Sequence, residues 1–176
     1  MTELRIDFET RCDVDLRRRG AGPYFESPHF KVLIAAWSID QSPIQTWTYG
    51  HPFPADIRTA IGDGCTVRAF NAAFERQCFN VMAARENWPR PELDRYRCTA
   101  AEAAAMALPR SLDGVGEALG LPVRKDKRGA ALIRKFSVPR RARKGENPLG
   151  LYWNEPEDFP DEFAEFVAYC AQDVAT

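Results

Sequence analysis

The order in which strand-like and helix-like segments follow one another limits this 176-residue chain to few folds. An alternating opening strand is followed by two β-rich runs, residues 32–40 and 44–49, which Gln41-Ser42-Pro43 joins as a predicted hairpin. Then come, in order, a short helix at 54–61, a strand ending at Asn71, a helix at 72–87, a brief strand at 96–98, and a helix at 99–107 before Pro109. This order predicts one mixed sheet with helices packed against it.

The opening strand has two different faces. Leu4, Ile6 and Phe8 alternate with polar and charged residues, which is the period-two pattern of a strand buried on one side. Asp7 and Glu9 are therefore predicted to emerge next to each other on the opposite face of this strand.

The remaining segments complete the predicted fold. The stretch R-R-R-G-A-G-P is typical of a turn-rich connection. Ser111 is predicted to cap a short helix that stops at Gly120, residues 127–136 have helical character, residues 137–160 form a long proline-containing loop, and a final helix starts near residue 161. This is the order expected of a ribonuclease H-like α/β fold, a mixed five-stranded central sheet flanked by helices. We expect one domain over residues 1–176.

Composition excludes several classes of protein. The hydrophobic fraction of 45% is enough for a real core. The five cysteines are odd in number, widely spread and never in a C-x-x-C arrangement, which argues against a disulfide framework or a zinc knuckle. The sequence has no apolar signal region and no run of 18 apolar residues. We expect a cytoplasmic protein without a membrane partner.

Charge is distributed unevenly. Residues 124–144 contain ten basic residues against a single acid, Asp126, a local charge of +9, while the whole chain carries −1 and the rest therefore −10. This basic strip (residues 124–144) predicts a surface that faces phosphates. A solvated loop that is merely basic is the alternative. The candidate substrate contacts in the strip are Lys125, Lys127, Arg128, Arg140 and Arg141.

Four carboxylates stand in three distant segments, I-D-F-E-T, N-A-A-F-E and Y-C-A-Q-D; they are Asp7, Glu9, Glu75 and Asp173. Tyr169 lies one helical turn before Asp173, so both point from the same face of the last helix. Carboxylates that gather repel each other unless hard divalent cations bind them. Two Mg²⁺ or Mn²⁺ ions about 4 Å apart would suit phosphodiester hydrolysis. The sequence therefore predicts metal-assisted chemistry on a phosphate.

Each fragment alone has a simpler explanation. A D-x-E pair on a strand is usually exposed, and a Y-x-x-x-D pair on a helix is usually a surface or capping feature. The segment N-A-A-F-E is equally explained by an asparagine-capped helix start with a solvated glutamate. Their joint occurrence, in order and on suitable elements, favours the metal site.

Taken together, these motifs resemble the DEDDy branch of the DnaQ-like 3′→5′ exonuclease superfamily, and within it the proofreading exonuclease domain of phage-type family A DNA polymerases. The resemblance covers nearly the whole chain, including R-C-T-A-A-E-A-A-A-M-A-L-P-R-S-L-D. The matching motif residues are Asp7, Glu9 and Thr10, then Asn71 and Glu75, then Tyr169 and Asp173.

The resemblance also implies roles for these residues. Asp7 would bridge two metal ions, Glu9 and Asp173 would complete the first site, and Tyr169 would position the attacking water. Thr10 and Asn71 would contact the terminal nucleotide. The implied substrate is a single-stranded 3′ end of DNA, hydrolysed with two Mg²⁺ or Mn²⁺ ions.

Two features depart from that pattern. The second motif usually ends in aspartate, and Glu75 is longer by one methylene, which matters where metal geometry is strict. The chain also stops three residues after Asp173, inside the predicted last helix. We therefore expect a domain excised from a longer polymerase, with a standalone exonuclease as the alternative. An exoribonuclease and a catalytically inactive nucleic-acid-binding domain are the two alternative functions.

Overall fold

The computed structural model describes residues 2–120 and 128–175. One five-stranded sheet has the strand order β3-β2-β1-β4-β5, in which β1 is antiparallel to β2 and parallel to β4. The mixed sheet and the hairpin between its second and third strands are confirmed. The strands are β1 (Glu3–Arg11), β2 (Lys31–Ile39), β3 (Gln45–Thr48), β4 (Thr66–Ala69) and β5 (Tyr96–Cys98).

Helices cover both faces of the sheet. Two 3₁₀ turns, Leu93–Arg95 and Pro156–Asp158, precede β5 and the last helix. The helices are α1 (Leu16–Arg19), α2 (Ala21–Glu26), α3 (Ala55–Gly62), α4 (Ala72–Glu86), α5 (Thr99–Ala105), α6 (Leu112–Ala118), α7 (Gly129–Phe136) and α8 (Pro160–Ala175). Within the described residues, no helix combines the length and the apolar character that crossing a bilayer requires.

The alternation of β1 divides the molecule into two cores. Leu4, Ile6 and Phe8 are buried at 5% exposure or less in the larger core, among aromatic side chains that include Trp47 and Trp88. The opposite face of the sheet packs against α7 and α8. This second core consists of Leu33, Ile34, Ala36, Leu132, Phe136, Phe166, Tyr169 and Cys170.

A bulge interrupts the pairing of β1 with β2 where the acidic residues end. Glu9 pairs with Ile34, but Thr10 pairs with Val32, so Leu33 is the extra residue on β2. Bulges re-aim side chains and are frequent next to functional sites. Here the bulge coincides with Glu9 and Thr10, which are both buried.

The prediction of a turn-rich connection after β1 is wrong, because R-R-R-G-A-G-P contributes to α1 and α2. The carboxylate of Asp15 accepts hydrogen bonds from the backbone N–H groups of Arg17 and Arg18 and caps α1. Pro23 lies in the first turn of α2, where its missing N–H costs nothing. Glycine and proline therefore mark helix ends here rather than a loop.

Helix α5 is shorter than predicted. It ends at Ala105, two residues before the expected end, and Ala107 has a φ of 59°. The cap at Ser111 is confirmed, since its hydroxyl accepts the N–H of Gly114 at 3.2 Å. The long loop before α8 is also confirmed, with an isolated β-bridge between Arg140 and Tyr152.

Candidate metal centre and substrate cleft

Three of the four carboxylates named in the sequence analysis converge. Asp7, Glu9 and Asp173 each offer an oxygen within 4.8 Å of the others. Asp7 and Glu9 project from the face of β1 that α8 covers, and α8 packs across β1 and β2. Asp173, which lies on α8 one turn after Tyr169, is thus brought close to β1.

The acidic triad (Asp7, Glu9 and Asp173) is partly removed from water. Glu9 is only 9% exposed, and Asp7 and Asp173 are half-buried. At this spacing ionised carboxylates repel each other, and partial burial strengthens the repulsion. Without a cation this repulsion destabilises the folded chain, and a divalent cation bound by the carboxylates would relieve it.

Glu75 lies beside the acidic triad, although it is not among the groups that share the 4.8 Å spacing. It sits in the first turn of α4 at 3% exposure, so it is not the solvated glutamate of the simpler interpretation. Burial, and next the negative charge of Asp7, raise the pKa of Glu75 well above its ordinary value. Among the described residues its Oε2 has no hydrogen-bond partner.

A cysteine touches the acidic triad from the core side, which the sequence did not indicate. The thiol of Cys170 donates to Asp7, at 3.5 Å from Oδ2 and 3.6 Å from the backbone oxygen. Burial and the charges of Asp7 and Glu9 raise the pKa of this thiol, so it stays a neutral donor. Cys170 is therefore more than a core filler.

Tyr169 is almost fully enclosed, at 3% exposure. Its ring stacks on that of Phe166 with 6.3 Å between centroids and 20° between planes. Together with Glu9 and Thr10 it lines a cleft of about 720 Å³ (the large cleft). The residue predicted to position a water thus lies beside the acidic triad and forms part of the wall of this cleft.

The two residues predicted to contact a terminal nucleotide differ in their environment. Thr10 shares a buried hydrogen bond of 2.6 Å with the hydroxyl of Tyr24, which fixes its side chain at the wall of the large cleft. Asn71 is exposed at the N-cap of α4, and its side chain makes no capping hydrogen bond. Asn71 therefore occupies the N-cap position, as the simpler interpretation expects, but its side chain does not cap the helix.

The large cleft has an apolar interior and a charged rim. Phe8, Phe74 and Ile133 contribute apolar surface, and the side chains of Arg17 and Arg134 line it as well. The sequence analysis did not single out these two arginines. For Arg134 the signal was present, because Ala130, Ile133 and Arg134 recur at helical spacing.

A smaller cleft of about 200 Å³ also borders the acidic triad. Asp7 and Asp173 line it together with Arg5 and Arg68. Arg68 also pairs with Glu3 at 2.9 Å, which raises the pKa of its guanidinium. Residues of the acidic triad therefore line two clefts, each with arginines in its walls.

Four basic residues of the strip form ion pairs with acids of the same chain. Arg128 contacts Glu165 at 3.2 Å. The guanidinium of Arg140 binds both oxygens of Glu146 at 2.7 Å, and Arg140 chiefly lowers the pKa of Glu146 to about 2. Two further pairs join Lys135 to Glu162 and Arg143 to Asp158.

Three further basic residues of the strip are predicted to contact the substrate. Arg141 is exposed. Lys125 and Lys127 lie outside the described residues. The role of all five basic candidates in substrate binding stays a prediction.

Comparison with known proteins places the chain in context. No family model matches it. It is 38% identical over 181 residues to the DNA polymerase of Bacillus phage SP02, an alignment that covers 99% of this chain and 26% of that protein. The chain is homologous to part of a phage DNA polymerase. It spans about a quarter of the length of this relative.

A solved structure supports the fold. The family B DNA polymerase from the hyperthermophilic archaeon Pyrobaculum calidifontis superposes with a TM-score of 0.51 at 15% identity, over 99% of this chain and 23% of that one. At this identity the similarity concerns the fold alone. The five-stranded mixed sheet with flanking helices is consistent with the ribonuclease H-like fold expected from the sequence.

Proposed function

We propose that this chain is a metal-dependent 3′→5′ exonuclease domain that hydrolyses terminal phosphodiester bonds of single-stranded or frayed DNA. The observation that carries the proposal is the 4.8 Å spacing of Asp7, Glu9 and Asp173 across β1 and α8. Three carboxylates held this close have no structural advantage without a cation. The homology to part of a phage DNA polymerase supports DNA as the substrate.

The residues of the site fit hard divalent cations. The donors are all carboxylate oxygens, which Mg²⁺ and Mn²⁺ prefer. Oε2 of Glu75 is buried without a hydrogen-bond partner among the described residues, and a nearby cation would favour its ionised form. We propose that Asp7, Glu9 and Asp173 hold two ions, with Glu75 acting at the edge of the site. Bound there, two such ions supply an activated water and stabilise the leaving oxygen.

The chain's own residues would orient the reactants. The phenol of Tyr169, which lines the large cleft beside Glu9, would hold the attacking water by a hydrogen bond. The Thr10 hydroxyl, fixed by Tyr24, would contact the terminal nucleotide. The apolar walls formed by Phe8 and Phe74 would exclude bulk water and strengthen each of these interactions.

The finer family assignment is also part of this proposal. The tyrosine four residues before Asp173 supports the DEDDy branch. Membership in family A, a polymerase domain on the same natural chain and a cytoplasmic location stay predictions. In such a polymerase the domain would serve proofreading, because removal of a frayed 3′ nucleotide follows from the proposed reaction.

The test is a digestion of single-stranded DNA labelled at its 5′ end, with Mn²⁺ or Mg²⁺ present. We expect a ladder of products that shortens from the 3′ end and releases nucleoside monophosphates. The Asp7→Ala variant should produce no ladder, and an exposed-residue variant, Asp63→Asn, should match the wild type. Internal cuts, shortening from the 5′ end, or full activity of Asp7→Ala would contradict the proposal.

Two further arms separate the alternatives. A matched RNA oligonucleotide that is digested faster than the DNA would favour the exoribonuclease. Calorimetry with Mn²⁺ in the absence of nucleic acid identifies an inactive domain, because a dead site should bind the ion only feebly.

A further inference from the structure

We propose that Gly129 is a positioning residue for Tyr169, because the first turn of α7 holds the tyrosine ring in place only if residue 129 has no side chain. This inference rests on the proposed function, in which Tyr169 orients the attacking water. It also makes a claim about packing that can be tested without any enzyme activity.

The geometry around Gly129 leaves no room for a methyl group. A Cβ built on Gly129 would lie 2.5 Å from Cζ of Tyr169 and 2.8 Å from Cδ2, and closer still to Cε2. Carbon atoms in contact are about 3.5–4.0 Å apart, so the ring would have to move by about 1 Å. Alanine is the better helix former, and Gly129 begins α7 without positive φ. Close approach, not backbone conformation, therefore requires glycine here.

A second contact of the tyrosine ring comes from its own helix, α8. Phe166 stacks against the ring, and Phe166 is fully buried. The ring of Tyr169 thus lies against both the backbone of Gly129 and the ring of Phe166. We call these two surfaces the tyrosine seat.

Several contacts join helix α7 to α8. Phe136, at the end of α7, stacks on Phe166 with 5.7 Å between centroids. The ion pairs from Arg128 to Glu165 and from Lys135 to Glu162 join the two helices along their length. Because α7 has these contacts and the tyrosine ring borders the large cleft, a side chain at residue 129 would displace the ring rather than the helix.

A side chain at residue 129 should lower the rate of the reaction without changing the binding of metal ions. None of the triad carboxylates lies on α7, so a displaced ring leaves the cation donors where they are. A shift of about 1 Å in a positioning group can reduce a rate by about 10²-fold. Gly129→Ala should thus behave like Tyr169→Phe, with a lowered kcat and unchanged Mn²⁺ affinity.

The first experiment is a double-mutant cycle in kcat with Gly129→Ala and Tyr169→Phe. We expect Gly129→Ala to lower kcat about 10-fold to 10²-fold in the wild type and less than about 2-fold in the Tyr169→Phe background, where no hydroxyl remains to misplace. Equal losses in both backgrounds would overturn the inference, because they would mean a general packing defect. Gly62→Ala is the matched control, an exposed helical glycine with open space around it, and it should leave kcat unchanged.

The second experiment measures thermal stability and needs no activity. Gly129→Ala should lower Tm by about 4–8 °C in the wild type through overpacking. In the Tyr169→Ala background it should lower Tm by less than about 2 °C, since the added methyl enters space that the ring has left. An equal loss of Tm in both backgrounds would contradict the proposed packing of the Tyr169 ring against Gly129.

The two experiments separate the two proposals. If the wild type shows no metal-dependent hydrolysis, the proposed function fails while the stability cycle still tests the seat. If Asp7→Ala and Tyr169→Phe reduce activity but Gly129→Ala does not, only the role of Gly129 is wrong.

Discussion

The acidic triad and the basic strip handle their charges in opposite ways. Asp7, Glu9 and Asp173 gather within 4.8 Å of one another, with a further buried carboxylate beside them. The basic strip instead distributes its cations among acids of the same chain, as in the bidentate pair of Arg140 with Glu146. The first region concentrates like charge, and the second neutralises part of its charge within the chain.

This difference indicates which region depends on something outside the chain. Like charges in a partly buried site are costly unless a ligand of opposite sign compensates them. Paired surface charges are satisfied already and gain less from a phosphate. The local charge of +9 in the sequence therefore overstates how strongly the strip can attract nucleic acid, and the acidic triad is where ligand binding should have the largest effect.

The largest effect is expected from loss of one carboxylate of the triad. Asp173→Asn keeps the shape of the side chain and removes its charge, so it should reduce the hydrolysis rate by about 10³-fold or more. Asp161→Asn, an exposed position on the same helix, is the control and should be near wild type. Comparable rates for the two variants would mean that the clustered charge has no catalytic role.

A smaller loss is expected from the tyrosine that accompanies the triad. Tyr169→Phe removes only the hydroxyl that orients water and should lower kcat by about 10²-fold, with Mn²⁺ affinity unchanged. Tyr49→Phe, at an exposed residue of the hairpin, controls for the substitution. A fall in Mn²⁺ affinity instead of kcat would assign Tyr169 to the metal site.

The buried carboxylate of Glu75 should make the metal-free protein sensitive to pH. Its pKa in the folded chain is above the ordinary value of 4.5. At a pH between the ordinary pKa and the raised pKa, the folded chain therefore binds more protons than the unfolded chain. The free energy of unfolding should then fall as pH rises through that window. Glu75→Gln should flatten this slope and raise Tm at about pH 7 by about 2–6 °C in the presence of a chelator.

The control for this prediction is Glu86→Gln, at the exposed end of the same helix. It should keep the slope of the wild type. If Glu75→Gln also keeps that slope, the carboxylate is ionised and compensated in the folded chain without metal, and the contrast between the two regions weakens.

The smallest effect is expected from single basic residues. Arg134 lines the large cleft, and a lost phosphate contact to a single strand reduces the slope of log K against log salt by about 0.7. We expect that reduction for Arg134→Ala and a smaller one for Arg140→Ala, whose charge Glu146 already neutralises. Arg58→Ala, on α3 across the sheet, is the control. A larger change in this slope for Arg140→Ala than for Arg134→Ala would show that ion pairs within the chain do not weaken the binding of nucleic acid by the basic strip.

Much of the fold followed from local patterns in the sequence. The alternation of Leu4, Ile6 and Phe8 fixed the two faces of β1, and helical spacing identified α4 and α8. These patterns can be read from the sequence because the residues that form one buried face of a helix or strand are close to one another in the chain. Helices α1 and α2 were missed, since their stability comes from a side-chain cap and from packing of Tyr24 and Phe25.

The candidate site was predictable only in part. The sequence identified the residues that carry charge, but not which charges would be paired, because partners such as Arg128 and Glu165 are 37 positions apart. It also gave no sign that Glu75 is buried or that Gly129 approaches Tyr169. These properties arise when distant elements pack together, and no local pattern encodes them.

The most direct test of the account is the stoichiometry of Mn²⁺ binding, measured by calorimetry and by electron paramagnetic resonance on the protein without nucleic acid. The account predicts two Mn²⁺ ions per chain, magnetically coupled because about 4 Å separates them, and loss of the coupled signal in Asp7→Ala. No binding at millimolar Mn²⁺, or identical binding by wild type and Asp7→Ala, would contradict the claim that the acidic triad exists to hold divalent cations.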